Sequence, residues 1–320
     1  MTLLASLMPS GLTRQRLPAE SGRALLLARA RGAMLGLAIG DALGATVEFM
    51  TPREIGAQYG VHDRIRGGGW LRLAAGAVTD DTTMTLALAE AWLAAAGPPS
   101  AEACALAFDG WMRSKPVDIG NTVRRGIVRW RLTGSTEAPP SSDAGNGATM
   151  RCLPVALAGF GGDPDAIGHA ALVQARVTHH NPLTDAATLC VVGMVQAALA
   201  GDSQQQVLTR AQALATLLPA FGFAGSRCDN PSGYIVDTMR AVFQAMERSL
   251  GFEAVLIDIV NRGGDADTTG AIAGMVMGAL AGENALPERW LTALHPAVRE
   301  ECRKSATRLI QLAPGWPAEG

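Results

Sequence analysis

Gly32-Ala33-Met34-Leu35-Gly36-Leu37-Ala38-Ile39-Gly40-Asp41-Ala42-Leu43-Gly44 places a glycine at every fourth position of an otherwise apolar run. Residues four apart share one face of a helix, so this spacing predicts a helix with a glycine stripe. Each glycine costs such a helix about 1 kcal/mol against alanine. Close approach of a second helix is the expected compensation. Gly270, Gly274 and Gly278, around the apolar segment 273–280, repeat the device.

Further helix-period patterns cover 84–96, 101–115, 165–175, 184–200, 203–217, 234–248, 253–262, 287–294 and 297–312. Alternating strand patterns are almost absent, which predicts an all-α globule. Loops are expected at 51–76, 116–121, 133–148, 179–182, 221–233 and 261–267. None is long or simple enough in composition to serve as an interdomain linker. Residues 24–320 therefore read as a single domain, and 1–23, with Pro9, Gly11 and Pro18, as a loose N-terminal extension. No fixed-period repeat is evident.

The chain has 320 residues and a formal charge of −2, enough length for a sizeable core but no electrostatic footprint for nucleic acid or anionic lipid. Five scattered cysteines without CxxC spacing argue against a disulfide framework or zinc site and suit a reducing cytosol. The start of the chain is a poor signal peptide, and the runs 33–47 and 186–200 are too short or carry a central Asp41 or Gln196. No membrane span is predicted, and a cytoplasmic protein is expected.

Two acidic clusters stand far apart, Thr79-Asp80-Asp81-Thr82 and Asp265-Ala266-Asp267-Thr268-Thr269, each at the start of an apolar helix. Their ordinary role would be capping, because orphan N–H groups and the helix dipole favour Asp and Thr there. Together, however, they offer four carboxylates and several hydroxyls, the oxygen ligands a hard divalent cation takes. Four like charges brought within a few Å need a counter-charge, and two dications would balance them. Gly67-Gly68-Gly69, Gly145-Asn146-Gly147 and Gly263-Gly264 would let backbone N–H groups approach an anion, or would simply make tight turns.

Asp118 stands in a loop between apolar neighbours, as a turn residue or as a proton-transferring carboxylate. Glu48 follows the glycine-striped helix and by default would pair with an arginine. His179, in His179-His180-Asn181-Pro182, reads as a hydrogen-bonding or outer-sphere residue and not as a zinc ligand. Tyr234 would pack in the core or stack on a ligand ring.

Segments in consistent order through residues 30–310 resemble the ADP-ribosylglycohydrolase family. They include Gly36–Gly44, Val78-Thr79-Asp80-Asp81-Thr82, Pro116-Val117-Asp118, Thr178-His179-His180-Asn181 and Asn261-Arg262-Gly263-Gly264-Asp265-Ala266-Asp267-Thr268-Thr269-Gly270. The likeness is greatest to the branch that reactivates dinitrogenase reductase, and extends through Tyr59–His62, Gly67–Leu71 and Ala144–Ala148. It implies an all-α fold with a binuclear Mn²⁺ (or Mg²⁺) centre held by Thr79, Asp80, Asp81, Asp265, Asp267 and Thr268. It also implies catalytic roles for Asp118 and Glu48, and an ADP-ribose site lined by Gly120, Gly145, Asn146, Gly147, Met150, His179 and Tyr234. Asn121 departs from the Asp found in some relatives, which puts more of the acid–base work on Asp118.

The implied reaction removes ADP-ribose from an arginine of a modified protein. The implied partners are ADP-ribosylated dinitrogenase reductase and a PII signalling protein. The alternatives are hydrolysis of another target or linkage, and a non-catalytic ADP-ribose-binding module. The complete acid set disfavours the last.

Overall fold

The computed structural model describes residues 19–317. Most of the expected extension 1–23 lies outside them. Fourteen α-helices are present among the described residues: α1 Ala19–Gly44, α2 Pro52–Tyr59, α3 Asp80–Ala95, α4 Ala101–Arg113, α5 Asn121–Thr133, α6 Leu153–Ala158, α7 Pro164–Arg176, α8 Pro182–Ala200, α9 Gln204–Leu217, α10 Ile235–Arg248, α11 Phe252–Val260, α12 Ala266–Ala281, α13 Glu288–Ala293 and α14 Pro296–Leu312. The described residues include no strand, only the isolated bridges Gly68–Leu73 and Gly145–Tyr234. The all-α reading holds.

The two glycine stripes are each other's partners. Gly32 faces Gly278, Gly36 faces Gly274, Gly40 faces Gly270 and Gly44 faces Ala266, so α1 and α12 run antiparallel with their backbones in contact. A Cβ at Gly36 would fall inside the van der Waals envelope of the Gly274 carbonyl. The propensity lost to glycine is thus offset by backbone-to-backbone packing at the centre of the fold. Around this pair, α14 packs on α1, while α8 and α11 pack on α12. All contribute to one apolar core.

Gly36→Ala is therefore expected to lower stability by about 1–3 kcal/mol through overpacking, despite its better helix propensity. Gly110→Ala, on the exposed face of α4 with open space around it, should instead stabilise by about 0.5–1 kcal/mol. Urea unfolding of the two variants beside the parent separates crowding from propensity. Equal effects would remove the close-approach explanation.

Three helices were not predicted. α2 lies in the expected loop 51–76; it is short, buries only Ile55, and is carried by a Thr51–Glu54 capping box with Pro52 in its first turn. α5 and α6 are short or interrupted in their apolar period. Pro182–Ala200 is the one described helix long and apolar enough to cross a membrane, and 89% of its apolar window is buried inside the protein. It is a core helix here. The five cysteine thiols are free, and all but Cys228 are buried.

A candidate metal centre at the foot of a cleft

The antiparallel pairing delivers the C-terminal end of α1 to the N-terminal end of α12, and α3 starts beside them. Asp41, in the last turn of α1, organises this junction. Its carboxylate accepts from Thr79 N at 2.9 Å, Thr82 N at 3.1 Å and Thr82 Oγ1 at 2.5 Å. The start of α3 is thus capped from α1, and its own N-cap residue Thr79 makes no side-chain capping bond. Asp265, the N-cap of α12, makes none either. The capping reading of the two clusters therefore fails at both N-cap positions.

Instead the clusters bond to each other across some 188 positions of sequence. Thr79 Oγ1 lies 3.2 Å from Asp81 Oδ2 and 3.5 Å from Asp267 Oδ2, and Thr268 Oγ1 lies 3.4 Å from Asp81 Oδ2. Glu48, from the turn after α1, joins them: oxygens of Glu48, Asp265 and Asp267 all lie within 4.8 Å of one another. Among the described residues Glu48 pairs with no arginine. Its Oε2 accepts from Trp70 Nε1 at 2.5 Å.

Burial raises the pKa of Asp41, Glu48, Asp80, Asp81, Asp265 and Asp267, and for all of these but Asp41 neighbouring charges add to it. Asp80 is pushed up to about 7 by burial, then by Asp118 and Asp41. Glu48 rises to about 8 by burial against the Trp70 bond, with Asp265 and Asp118 adding. Asp41 reaches about 6, its bonds from Thr82 and Thr79 opposing burial. Burial and mutual repulsion hold Asp81 and Asp267 well above the usual range, and burial also raises Asp265. Asp81 Oδ1 is buried without a hydrogen-bond partner among the described residues. An orphaned carboxylate oxygen among mutually repelling acids is the environment a divalent cation would relieve. The donor set fits a hard cation.

A carboxyl whose folded pKa lies above its unfolded value near 4 binds more protons folded than unfolded between those two values. Stability then falls as pH rises through that interval, here from about 4 to about 7 for Asp80 and to about 8 for Glu48. His179, buried and pushed down to about 3, acts oppositely but only below about 6.5. Metal-free protein should therefore lose thermal stability between about pH 6.5 and 8. Saturating Mn²⁺ should remove that loss, because it binds the deprotonated acids. An unchanged melting temperature across this range without metal would contradict the assignment of raised carboxyls.

Above the acids opens a cavity of about 360 Å³. Glu48, Asp80, Asp118, Gly120, Gly145, Asn146, Gly147, Met150, His179, Asp265, Asp267 and Thr268 line it. Thr79 and Asp81 lie fully buried behind this lining. Asp118, in the loop before α5, accepts from its neighbour Ile119 N at 2.7 Å. Asn146 Nδ2 donates to Asp265 Oδ2 at 2.6 Å. Tyr234 does not line the cavity. It is 43% exposed, which removes the core-packing option, and its backbone pairs with Gly145.

The glycine pairs sort by environment. Gly145 and Gly147 face the His179 ring, where a Cβ would crowd it. Gly263 and Gly264 have φ of 68° and 64° and lie against the backbone of Met50 and Pro231. They and Gly67–Gly69 shape turns and do not line the cavity.

Sequence reading overlooked Asp41 as a site residue and treated Trp70 only as part of a matched segment. A lone carboxylate in a glycine-striped apolar helix was the available signal for Asp41. Trp70 had none, since its bond to Glu48 depends on a loop folding back. Trp70 and Phe49 form an exposed aromatic pair on the rim, 52% and 64% accessible with ring centroids 5.4 Å apart.

An all-α protein whose central antiparallel pair carries buried carboxylates to the foot of a polar cleft has the makings of a metal-assisted hydrolase. The chain belongs to the ADP-ribosylglycohydrolase family, whose model matches residues 23–319. It is 48% identical over 286 residues to the ADP-ribosyl-[dinitrogen reductase] glycohydrolase of Rhodospirillum rubrum, covering 89% of this chain and 96% of that one. It is 34% identical to the ADP-ribosylarginine hydrolase Tri1 of Pseudomonas putida, covering 90% of this chain and 79% of that one. A solved structure described as an ADP-ribosylglycohydrolase-related protein complex superposes with a TM-score of 0.80 at 34% identity, covering 90% of this chain and 99% of that one.

Proposed function

We propose that the cleft hydrolyses the N-glycosidic bond between ADP-ribose and an arginine side chain of a modified protein. The observation that carries this reading is the convergence of two distant acidic clusters in one cleft, in a chain 48% identical to a glycohydrolase of that kind. Dinitrogenase reductase is the proposed target, after the relative's name. A PII signalling protein is a proposed partner on the family resemblance alone.

Thr79, Asp80, Asp81, Asp265, Asp267 and Thr268 would hold two Mn²⁺ or Mg²⁺ ions. When bound, these supply Lewis-acid stabilisation of charge developing at the ribose. The protein's own groups do the rest. The cavity walls fix the sugar against the acids, converting the attack of water into a positioned step. Asp118 would take the proton from that water or return one to the leaving side. Glu48, oriented by Trp70, would face the guanidinium; a nearby carboxylate keeps it protonated and so a better leaving group. The C1″–N bond breaks, a C1″–O bond forms, and arginine leaves with its proton. Gly120, Gly145, Asn146, Gly147, Met150 and His179 would line the ADP-ribose, with Tyr234 at the rim.

The test uses full-length protein, stripped of metal, on arginine-linked and serine-linked ADP-ribosyl proteins. Release of ADP-ribose from the arginine linkage alone, only after Mn²⁺ or Mg²⁺ is restored, at about two ions per chain, is the expected result. Full activity after chelation, or release from serine alone, would overturn the reading.

A further inference from the structure

Arg151 is fully buried, yet its bonding partners are all uncharged. Nε donates to Gln174 Oε1 at 2.9 Å, and Nη2 donates to Gln174 O at 2.9 Å and to Thr178 Oγ1 at 2.8 Å. Nη1 lies 3.5 Å from Met84 Sδ, and the guanidinium sits 4.1 Å from the centroid of the Phe108 ring. Burial lowers its pKa only to about 9, so it stays charged at neutral pH. Enclosing a cation among neutral acceptors is costly. What the charge achieves is visible one bond further on.

Thr178 Oγ1 also lies 2.7 Å from His179 Nδ1. A guanidinium is a donor only, so Thr178 accepts from Arg151 and keeps a single proton of its own to place. Had Nδ1 carried the ring proton, that hydroxyl proton would have no acceptor. An unpaired buried hydroxyl is unfavourable. Thr178 therefore donates to Nδ1, which leaves the ring proton on Nε2. Nε2 lies against Gly145 and Gly147 on the cavity wall, with no protein partner among the described residues. Burial, then the charges of Arg151 and Arg125, keep the ring neutral.

We infer that Arg151, acting through Thr178, is a positioning residue that holds His179 in the Nε2–H tautomer, so that the ring presents an N–H donor to an acceptor oxygen of bound ADP-ribose. The ligand rests on the ADP-ribose reading of the cleft; the tautomer rests on the hydrogen bonds alone. The cleft lining then holds two unlike kinds of group, carboxylates and, at His179, a neutral donor. A guanidinium finds no acceptor at His179 Nε2, while an acceptor oxygen of ADP-ribose finds a donor there. These unlike groups orient the substrate, with its arginine toward the acids.

The test is long-range ¹H–¹⁵N correlation on full-length protein labelled in histidine, with the His179 signals identified by their loss in His179→Asn. The parent is expected to show a protonated Nε2 and a bare Nδ1. Thr178→Val keeps the shape but removes the relay hydroxyl. It should relax the tautomer to a mixture and weaken ADP-ribose binding, read by calorimetry, by about three- to tenfold for one hydrogen bond. Thr178→Ser should restore both. Arg151→Met should relax the tautomer in the same way, and the Thr178 pair decides the matter even if that variant does not fold. A protonated Nδ1 in the parent, an imidazolium, or a parental tautomer in Thr178→Val would overturn the relay. A parent that shows the Nε2–H tautomer but binds no ADP-ribose would instead sink the reading of the cleft.

Discussion

Asp267→Asn is expected to weaken divalent-cation binding and hydrolysis by roughly 10²- to 10³-fold, the effect of removing one partner from a buried charge pairing. The metal-free protein should be as stable as the parent, or slightly more so. Burial and the charges of Glu48 and Asp81 already favour the neutral form of Asp267, and an amide imitates that form. Asp267 Oδ1 accepts from Thr268 N at 2.9 Å, a bond the Asn oxygen can keep. Thermal melts with and without Mn²⁺ separate the two effects. The parent should gain about 2.7 kcal/mol at a hundredfold excess over Kd, and the variant almost nothing. A variant that hydrolyses normally and keeps its Mn²⁺-dependent rise would return the second acidic cluster to a structural role.

Asp118→Asn should act on turnover and spare binding. Asp118 lines the cavity from the loop before α5 and takes no part in the hydrogen bonds that join the two acidic clusters. The fold and the metal affinity should therefore survive the change. A single acid–base group is worth roughly 10²–10⁴-fold in rate, so ADP-ribose release from arginine-linked protein should fall by that much while ADP-ribose still binds. Equal hydrolysis by variant and parent would remove Asp118 from the mechanism and direct attention to Glu48. A parent that binds ADP-ribose tightly yet cleaves no linkage would favour the non-catalytic module.

The helical architecture was legible because the periods that encode it are local. Glycines at 32, 36, 40 and 44, and at 270, 274 and 278, announced two helices that needed close partners. The structure adds that they are partners of one another. The acids at 80, 81, 265 and 267 were legible as a set by residue type, and the family signatures lie in short contiguous segments. Helices α2 and α5 were harder to see because one depends on a capping box and the other on a weak apolar period.

Other features arise between segments distant in the chain, where no local pattern records them. That the first cluster does not cap α3 with its own N-cap side chain turned on Asp41, which caps that helix from α1. Glu48 was expected to meet an arginine and meets Trp70, because Gly67–Gly69 turn that loop back over the end of α1. Arg151 and Gln174 carry no motif, yet together with Thr178 their hydrogen bonds assign the proton on His179. Residue types and spacing were enough to name most of the helices and the acids, since propensity and periodicity act over a few residues, and the resemblance of short contiguous segments named the family. The protonation, orientation and pairing of those groups came with folding, because desolvation and hydrogen-bond geometry exist only once distant segments share an interior.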